Sequence, residues 1–285
     1  MVIGLLNTIK EVVIKKNSSI SLKKTKDIKL SIQFSLGGFS FCVIDSISSE
    51  YLFFTSYTFK EFLNTPENLL KKIESIFKKD TNLQLDFKSV EVIHSNNLST
   101  LVPKEYFQEE KLANYLDFNI KTLKTDFITF DEIKSINANN VYIPYVNINN
   151  YIFQHFGEFD FKHQKTVLIE KLIQINSDDE KVMYVNVENN SFEIIVFENK
   201  SFIFSNNFNF DTKEDFIYYI LFTAEQLEMN PEKFNLYFTG DIEKESEIFN
   251  ISYTYIKNIS FLESKNPIFE NLDDSKHSNF ILLGI

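Results

Sequence analysis

Residues 28–45 read Ile-Lys-Leu-Ser-Ile-Gln-Phe-Ser-Leu-Gly-Gly-Phe-Ser-Phe-Cys-Val-Ile-Asp. Leu30, Ile32 and Phe34 alternate with Ser31, Gln33 and Ser35, and beyond Gly37-Gly38 the alternation resumes with Phe39, Phe41 and Val43. An apolar residue at every second position marks a strand with one buried face, and a glycine pair between two such runs marks a tight hairpin. The pattern returns 151 positions later, where residues 183–197 read Met-Tyr-Val-Asn-Val-Glu-Asn-Asn-Ser-Phe-Glu-Ile-Ile-Val-Phe. At that spacing Ser35 falls on Asn186, and Ser40-Phe41 on Ser191-Phe192. A hairpin met twice predicts two copies of one α/β module.

The flanking sequence supports the repeat. Residues 51–59 predict a third strand, and Thr65-Pro66-Glu67 opens a helix with Thr65 as N-cap and Pro66 at the first helical position. Leu69, Leu70, Ile73, Ile76 and Phe77 follow at helical spacing. Residues 90–94 predict a short strand, and Pro103 a second helix with Tyr106, Phe107, Leu112 and Leu116 as its buried stripe. A strand at 141–146, a helix at 147–156 ended by Gly157 and a helix at 165–175 complete the first half. The polar run 176–180, with Asp178-Asp179, is the expected linker.

In the second half the hairpin 182–197 leads to a third strand at 201–208, where the same spacing sets Tyr51 on Phe202, Phe53 on Phe204 and Phe59 on Phe210. Asp211-Thr212-Lys213-Glu214 caps a helix with Phe216, Ile220, Leu221 and Ala224 as its apolar stripe. A strand at 236–238 ends in Thr239-Gly240-Asp241, followed by a short helix at 242–249 and a strand at 253–261. The apolar tail 280–285 is expected to add a last strand to the second domain. The expected division is a leader at 1–27 that adds an edge strand, a first domain at 28–160 and a second at 161–285.

Composition narrows the function classes. All 29 basic residues are Lys, so the chain has no guanidinium fork with which to clamp a phosphoryl group. A net charge of −11 repels polyanions, and the paired lysines Lys15-Lys16, Lys23-Lys24, Lys71-Lys72 and Lys78-Lys79 read as solvated faces; nucleic acid is not an expected partner. One cysteine, Cys42, cannot close an internal disulfide, which points to a reducing compartment. His94, His155, His163 and His277 are too dispersed for a zinc site, and no metal site is expected. No apolar run has the length of a membrane span, and a cytoplasmic protein is expected.

Two halves that each open with a hairpin and close with a strand-helix crossover resemble the actin, sugar kinase and Hsp70 superfamily. That resemblance implies a duplicated ribonuclease H-like (actin-like ATPase) fold of the α/β class, with two domains of mixed sheets flanked by helices around a central cleft. It also implies hairpin turns that grip the phosphates of ATP through backbone amides, with an Asp before each turn holding magnesium or orienting water. The first turn is then Ser35-Leu36-Gly37-Gly38, the second Asn186-Val187-Glu188-Asn189, and the third Thr239-Gly240-Asp241. Neutral Ser35 and Asn186 stand where the superfamily has Asp, the second turn lacks glycine, and the third keeps only Gly240.

A nearer resemblance is to an uncharacterised bacterial family, domain-of-unknown-function family 3822. It is carried by Leu30-Ser31-Ile32, Gly38-Phe39-Ser40-Phe41, Val102-Pro103 and Val141-Tyr142-Ile143-Pro144. Together these imply a degenerate nucleotide cleft lined by Ser35, Gly37, Gly38, Asn186, Glu188 and Gly240, with no catalytic residue and no resident cofactor. The expected function is a non-catalytic scaffold or adaptor for a protein partner, such as a component of cell-envelope assembly. The alternative is a nucleotide-binding protein, an ATPase or a small-molecule kinase, taking ATP and magnesium with Glu188 or Asp241 as non-standard cleft residues.

Overall fold

The computed structural model of the chain describes residues 10–15, 27–177, 180–272 and 274–284. They divide into two compact units. One holds the described residues up to Val102 with Tyr106–Asp131 and Asn140–Gln164, and the other holds Pro103–Glu105, Glu132–Asn139 and the chain from Lys165 onward.

In the first unit, β1 (Lys10–Lys15) is followed by the hairpin β2 (Ile28–Ser35) and β3 (Gly38–Asp45), then β4 (Tyr51–Thr58), α1 (Pro66–Lys79) and β5 (Ser89–His94). An excursion of β6 (Ser99–Pro103), α2 (Leu112–Leu116), β7 (Thr129–Ile133) and β8 (Ala138–Tyr142) precedes α3 (Val146–Phe156) and β9 (Asp160–His163). The main sheet has the order β1-β4-β3-β2-β5-β9, and β6-β8-β7 form a small separate sheet. Strands β1 to β4 pair antiparallel, whereas β2-β5 and β5-β9 are parallel. One side of this sheet carries Leu30, Ile32, Phe34, Phe39, Phe41 and Val43 into a core closed by Leu69, Ile73 and Phe77 of α1 and Ile148 and Ile152 of α3. Burying a Phe side chain contributes roughly 1.5–3 kcal/mol, so the three hairpin phenylalanines are a main source of this unit's stability. Thr65 caps α1 by accepting the Asn68 N–H at 3.3 Å, and Gly157 ends α3 at φ +75°.

From α4 (Gln164–Ile175) the chain enters the hairpin β10 (Val182–Glu188) and β11 (Ser191–Glu198), then β12 (Ser201–Asn209), α5 (Lys213–Gln226), β13 (Asn235–Gly240), α6 (Glu247–Tyr255), β14 (Asn258–Phe261) and α7 (Phe280–Leu283). The sheet order is β12-β11-β10-β13-β14, antiparallel through the first three strands and parallel for the last two. This is the order β4-β3-β2-β5-β9 of the first unit, with α5 in the place of α1 and α6 in the place of α3. Met183, Val185, Val187, Phe192 and Ile194 face a core shared with Phe216, Ile220 and Phe249. On the opposite side of the sheet, Lys165 and Asn176 tie both ends of α4 to it, through Glu193 and the Tyr184 hydroxyl.

Several expectations are corrected. Ser35 pairs with Gly38 across the first turn and Glu188 with Ser191 across the second, so the hairpins correspond at a spacing of 153 (188 minus 35) rather than 151. Asn186 therefore matches Gln33, and the second turn is Asn189-Asn190 rather than residues 186–189. The third strands do keep 151: Tyr57 faces Phe39 as Phe208 faces Phe192, because four residues separate the paired Phe197 and Phe202 where six separate the paired Ile44 and Tyr51. The helix expected from Pro103 is replaced by short 3-10 turns and the five-residue α2. The Tyr115 hydroxyl accepts the Gln108 N–H and donates to the Tyr106 carbonyl, holding the chain in turns, and Tyr106 is exposed rather than part of a buried stripe.

Residues 242–246 form a turn and the helix begins only after Ser246, which caps α6 through the Phe249 N–H. Tyr253 and Tyr255 therefore lie in α6, and β14 is confined to Asn258–Phe261. The apolar tail is a helical turn, α7, and not a strand: Asn279 takes left-handed backbone and the Ser264 hydroxyl donates to Leu283 O at 2.8 Å. Of the expected linker, Asp178 and Asp179 lie outside the described residues, and the buried Asn176 belongs to the second unit's interior rather than to a connection. The expected leader contributes β1 as an edge strand; Lys16, Lys23 and Lys24 lie outside the described residues.

Candidate functional site

The two hairpin turns are the candidate site, and each unit's turn is built from its own strand ends. At the first, the Ser35 hydroxyl accepts the Gly37 N–H at 3.1 Å. The Gly37 and Leu36 carbonyls accept the N–H groups of Phe59 and Leu63, both at 2.9 Å, which fastens the turn to the chain leaving β4. A Cβ on Gly38 would stand 2.8 Å from the Tyr57 carbonyl oxygen, so this glycine admits the close approach of β4. Gln33, one strand step before the turn on the same face as Ser35, donates to the Ser95 hydroxyl at 2.9 Å.

At the second turn, Asn189 adopts φ +51°. Asn186 sits in mid-strand, accepting from the Thr239 hydroxyl at 2.8 Å and donating to the Glu188 carboxylate at 3.4 Å. Gly240 has φ +84°, and a Cβ there would fall 2.2 Å from the Val187 carbonyl oxygen. The residue must be glycine because β13 turns directly against the β10 backbone, where Asp241 N–H donates to Val187 O and Gly240 N–H donates to His277 O. Desolvation raises the Asp241 carboxyl above its ordinary range and the Asp274 carboxylate adds to this, against the lowering effect of the Asn189 N–H. His277 is buried, with Nε2 on the Ile242 carbonyl at 2.6 Å and its ring stacked 4.1 Å from Phe261.

The donor set does not fit a magnesium nucleotide. Gly37 and Gly240, whose N–H groups the superfamily resemblance would turn toward phosphate, spend them on the Ser35 hydroxyl and the His277 carbonyl. On the strands before the turns, Ser35, Gln33 and Asn186 are neutral and weak ligands for a hard cation, and Glu188, which matches Ser35 in register, has its carboxylate on the Asn186 amide.

Two polar constellations escaped the sequence reading. In the second unit, Lys165 Nζ lies 3.3 Å from Glu193 Oε1, both side chains are 5% exposed, and the Ser205 hydroxyl donates to the same carboxylate oxygen. Its signal was available: Glu193 stands alone among Phe192, Ile194, Ile195, Val196 and Phe197, in a strand otherwise apolar on both faces. In the first unit, Asp131 accepts from the Tyr142 hydroxyl at 3.0 Å and from the His163 N–H at 2.8 Å, while His163 Nε2 bonds the Asn96 carbonyl at 3.0 Å. The Tyr142 hydroxyl is pushed well above its ordinary range by burial and by the Asp131 charge. Nothing in the spacing of residues 96, 131, 142 and 163 announces that network.

Comparison with known proteins places this geometry in context. The sequence profile of a family described as "Protein of unknown function (DUF3822)" matches residues 17–259. No curated protein matches the chain. Among solved structures, a protein of Bacteroides thetaiotaomicron VPI-5482 with an actin-like ATPase fold and unknown function superposes at a TM-score of 0.78 with 24% identity, over 92% of this chain and 96% of that one. The PilM–PilN type IV pilus biogenesis complex matches at 0.55 with 10% identity, over 86% and 89%. The ethanolamine utilization protein EutJ of Carboxydothermus hydrogenoformans matches at 0.48 with 7% identity, over 90% and 87%. The fold is therefore the two-domain actin-like ATPase fold.

Proposed function

Because the chain belongs to the DUF3822 family of proteins of unknown function and has the actin-like ATPase fold, we propose that it is a non-catalytic member of that fold, serving as a cytoplasmic scaffold or adaptor for a protein partner. The carrying observation is at the turns: the Gly37 and Gly240 N–H groups are bonded to the protein's own oxygens, the Ser35 hydroxyl and the His277 carbonyl. Neither amide can meet a phosphate without first breaking an internal bond. The common strand order of the two sheets supports descent of both halves from one copied module whose phosphate grip was later lost. The PilM–PilN type IV pilus biogenesis complex is a precedent for this fold in a pilus biogenesis complex, which favours an assembly component as the partner. No helix among the described residues is long and apolar enough to cross a membrane.

A thermal-shift titration of the full chain with ATP and magnesium tests the proposal. Binding to the native state would raise the melting temperature steadily with ligand concentration. The expected result is no shift. A concentration-dependent rise abolished by Glu188→Ala would overturn the proposal in favour of a nucleotide-binding protein or an enzyme.

A further inference from the structure

The edge of the second unit's sheet differs from its counterpart in the first. In the first unit the outer edge of β4 is covered by β1, antiparallel from Lys10 opposite Thr58 to Lys15 opposite Phe53. The corresponding strand β12 also closes its sheet, but among the described residues no strand pairs with its outer edge. The two edges share local geometry: each strand pairs antiparallel with the hairpin and each carries a register shift near its start, at Val43/Ile44 and at Val196/Phe197. An edge of this shape thus accepts an antiparallel strand in one half of the chain and lacks one in the other.

Residues 201–209, Ser-Phe-Ile-Phe-Ser-Asn-Asn-Phe-Asn, hold no charged residue or proline that would keep an edge unpaired, and Ile203 is 38% exposed. A strand of nine residues whose outer edge no described strand pairs is a template for another strand.

We propose that β12 pairs antiparallel with β12 of a second copy of this chain, joining two second-unit sheets into one continuous sheet across a two-fold axis. The sequence of the strand is self-complementary. Centred on Ser205, the pairing sets Phe202 opposite Phe208, Ile203 opposite Asn207 and Phe204 opposite Asn206, so aromatic residues meet across the seam and no like charges do. An uncharged seam is what allows two chains of net charge −11 to approach here rather than on a charged face.

Sedimentation equilibrium of the full chain over a wide concentration range is the test, with Ile203→Lys and Asn206→Lys as separate variants. Asn206 is exposed, so its variant keeps the fold even if Ile203→Lys does not, and circular dichroism with thermal melting checks both. The expected result is a species of twice the 33.5 kDa chain mass that falls to the single-chain mass in a folded variant. A wild-type chain that stays at single-chain mass throughout overturns the proposal, including the case in which a foreign strand occupies the edge. So does a dimer that survives a folded Asn206→Lys.

Discussion

Glu193 meets two partners in the second unit's interior, the Lys165 ammonium and the Ser205 hydroxyl. Removing one partner of such a buried pair leaves the other charge uncompensated, a loss of about 3–5 kcal/mol, whereas replacing both by apolar groups of similar size is close to neutral. Lys165→Met alone should therefore lower stability by that amount in urea unfolding, and Lys165→Met with Glu193→Leu should recover most of it. His94 is the first unit's counterpart in sensitivity. Tyr145 N–H donates to its Nδ1 and its Nε2 donates to Asn149 Oδ1, so the ring is neutral, and burial pulls its pKa down to about 3 from 6.5. The unfolded chain takes up this proton first as pH falls, so the neutral ring's contribution is complete above pH 6.5 and is lost progressively toward pH 3. The loss from this residue between pH 7 and pH 4 should be on the order of 3 kcal/mol. Denaturant melts of the wild type and His94→Gln across that range should show a shallower pH slope in the variant; equal slopes would assign the acid sensitivity to other groups.

Helices with a cap and an uninterrupted apolar stripe were legible from sequence alone. Thr65 and Thr212 both cap as the spacing implies, and at α5 the cap is reciprocal, with Thr212 accepting the Asp215 N–H at 3.1 Å and Asp215 accepting the Thr212 N–H at 3.0 Å. Thr212→Ala should cost about 1 kcal/mol, measured by thermal or urea unfolding, since a buried stripe fixes the helix position and only the cap is lost. Where single side-chain contacts overrule local preference, the reading failed. Residues 103–116 have a helix-starting proline and apolar residues at suitable spacing, yet the Tyr115 hydroxyl and the packing of Phe107 on Phe130 at 4.7 Å hold them in turns. The tail 280–283 has a strand's composition, but its four residues are too few to carry a period, and the hydroxyl of Ser264, distant in sequence, decides its form.

For the whole chain, the repeat carried most of the information. Two hairpins at similar spacing implied two sheets of one topology, and the strand orders agree. Exact correspondence at the turns was not legible, because a loop shortened by two residues restores the spacing downstream and hides the shift; an alternating strand offset by two presents the same face. At the site, Ser35 does stand at the first turn, but its match in register is the carboxylate Glu188 and not Asn186. That the Gly240 N–H would reach the His277 carbonyl is a contact between segments far apart in sequence.

The chain's sole thiol belongs to Cys42, fully enclosed on the middle of β3 in the first unit. A thiol-reactive dye can reach it only when that sheet opens, so labelling kinetics clock the breathing of one half of the molecule while the other, having no sulfhydryl, stays silent. Loosening the second unit at Lys165 should leave that clock running at its old rate if the halves open independently, and quicken it if they open together.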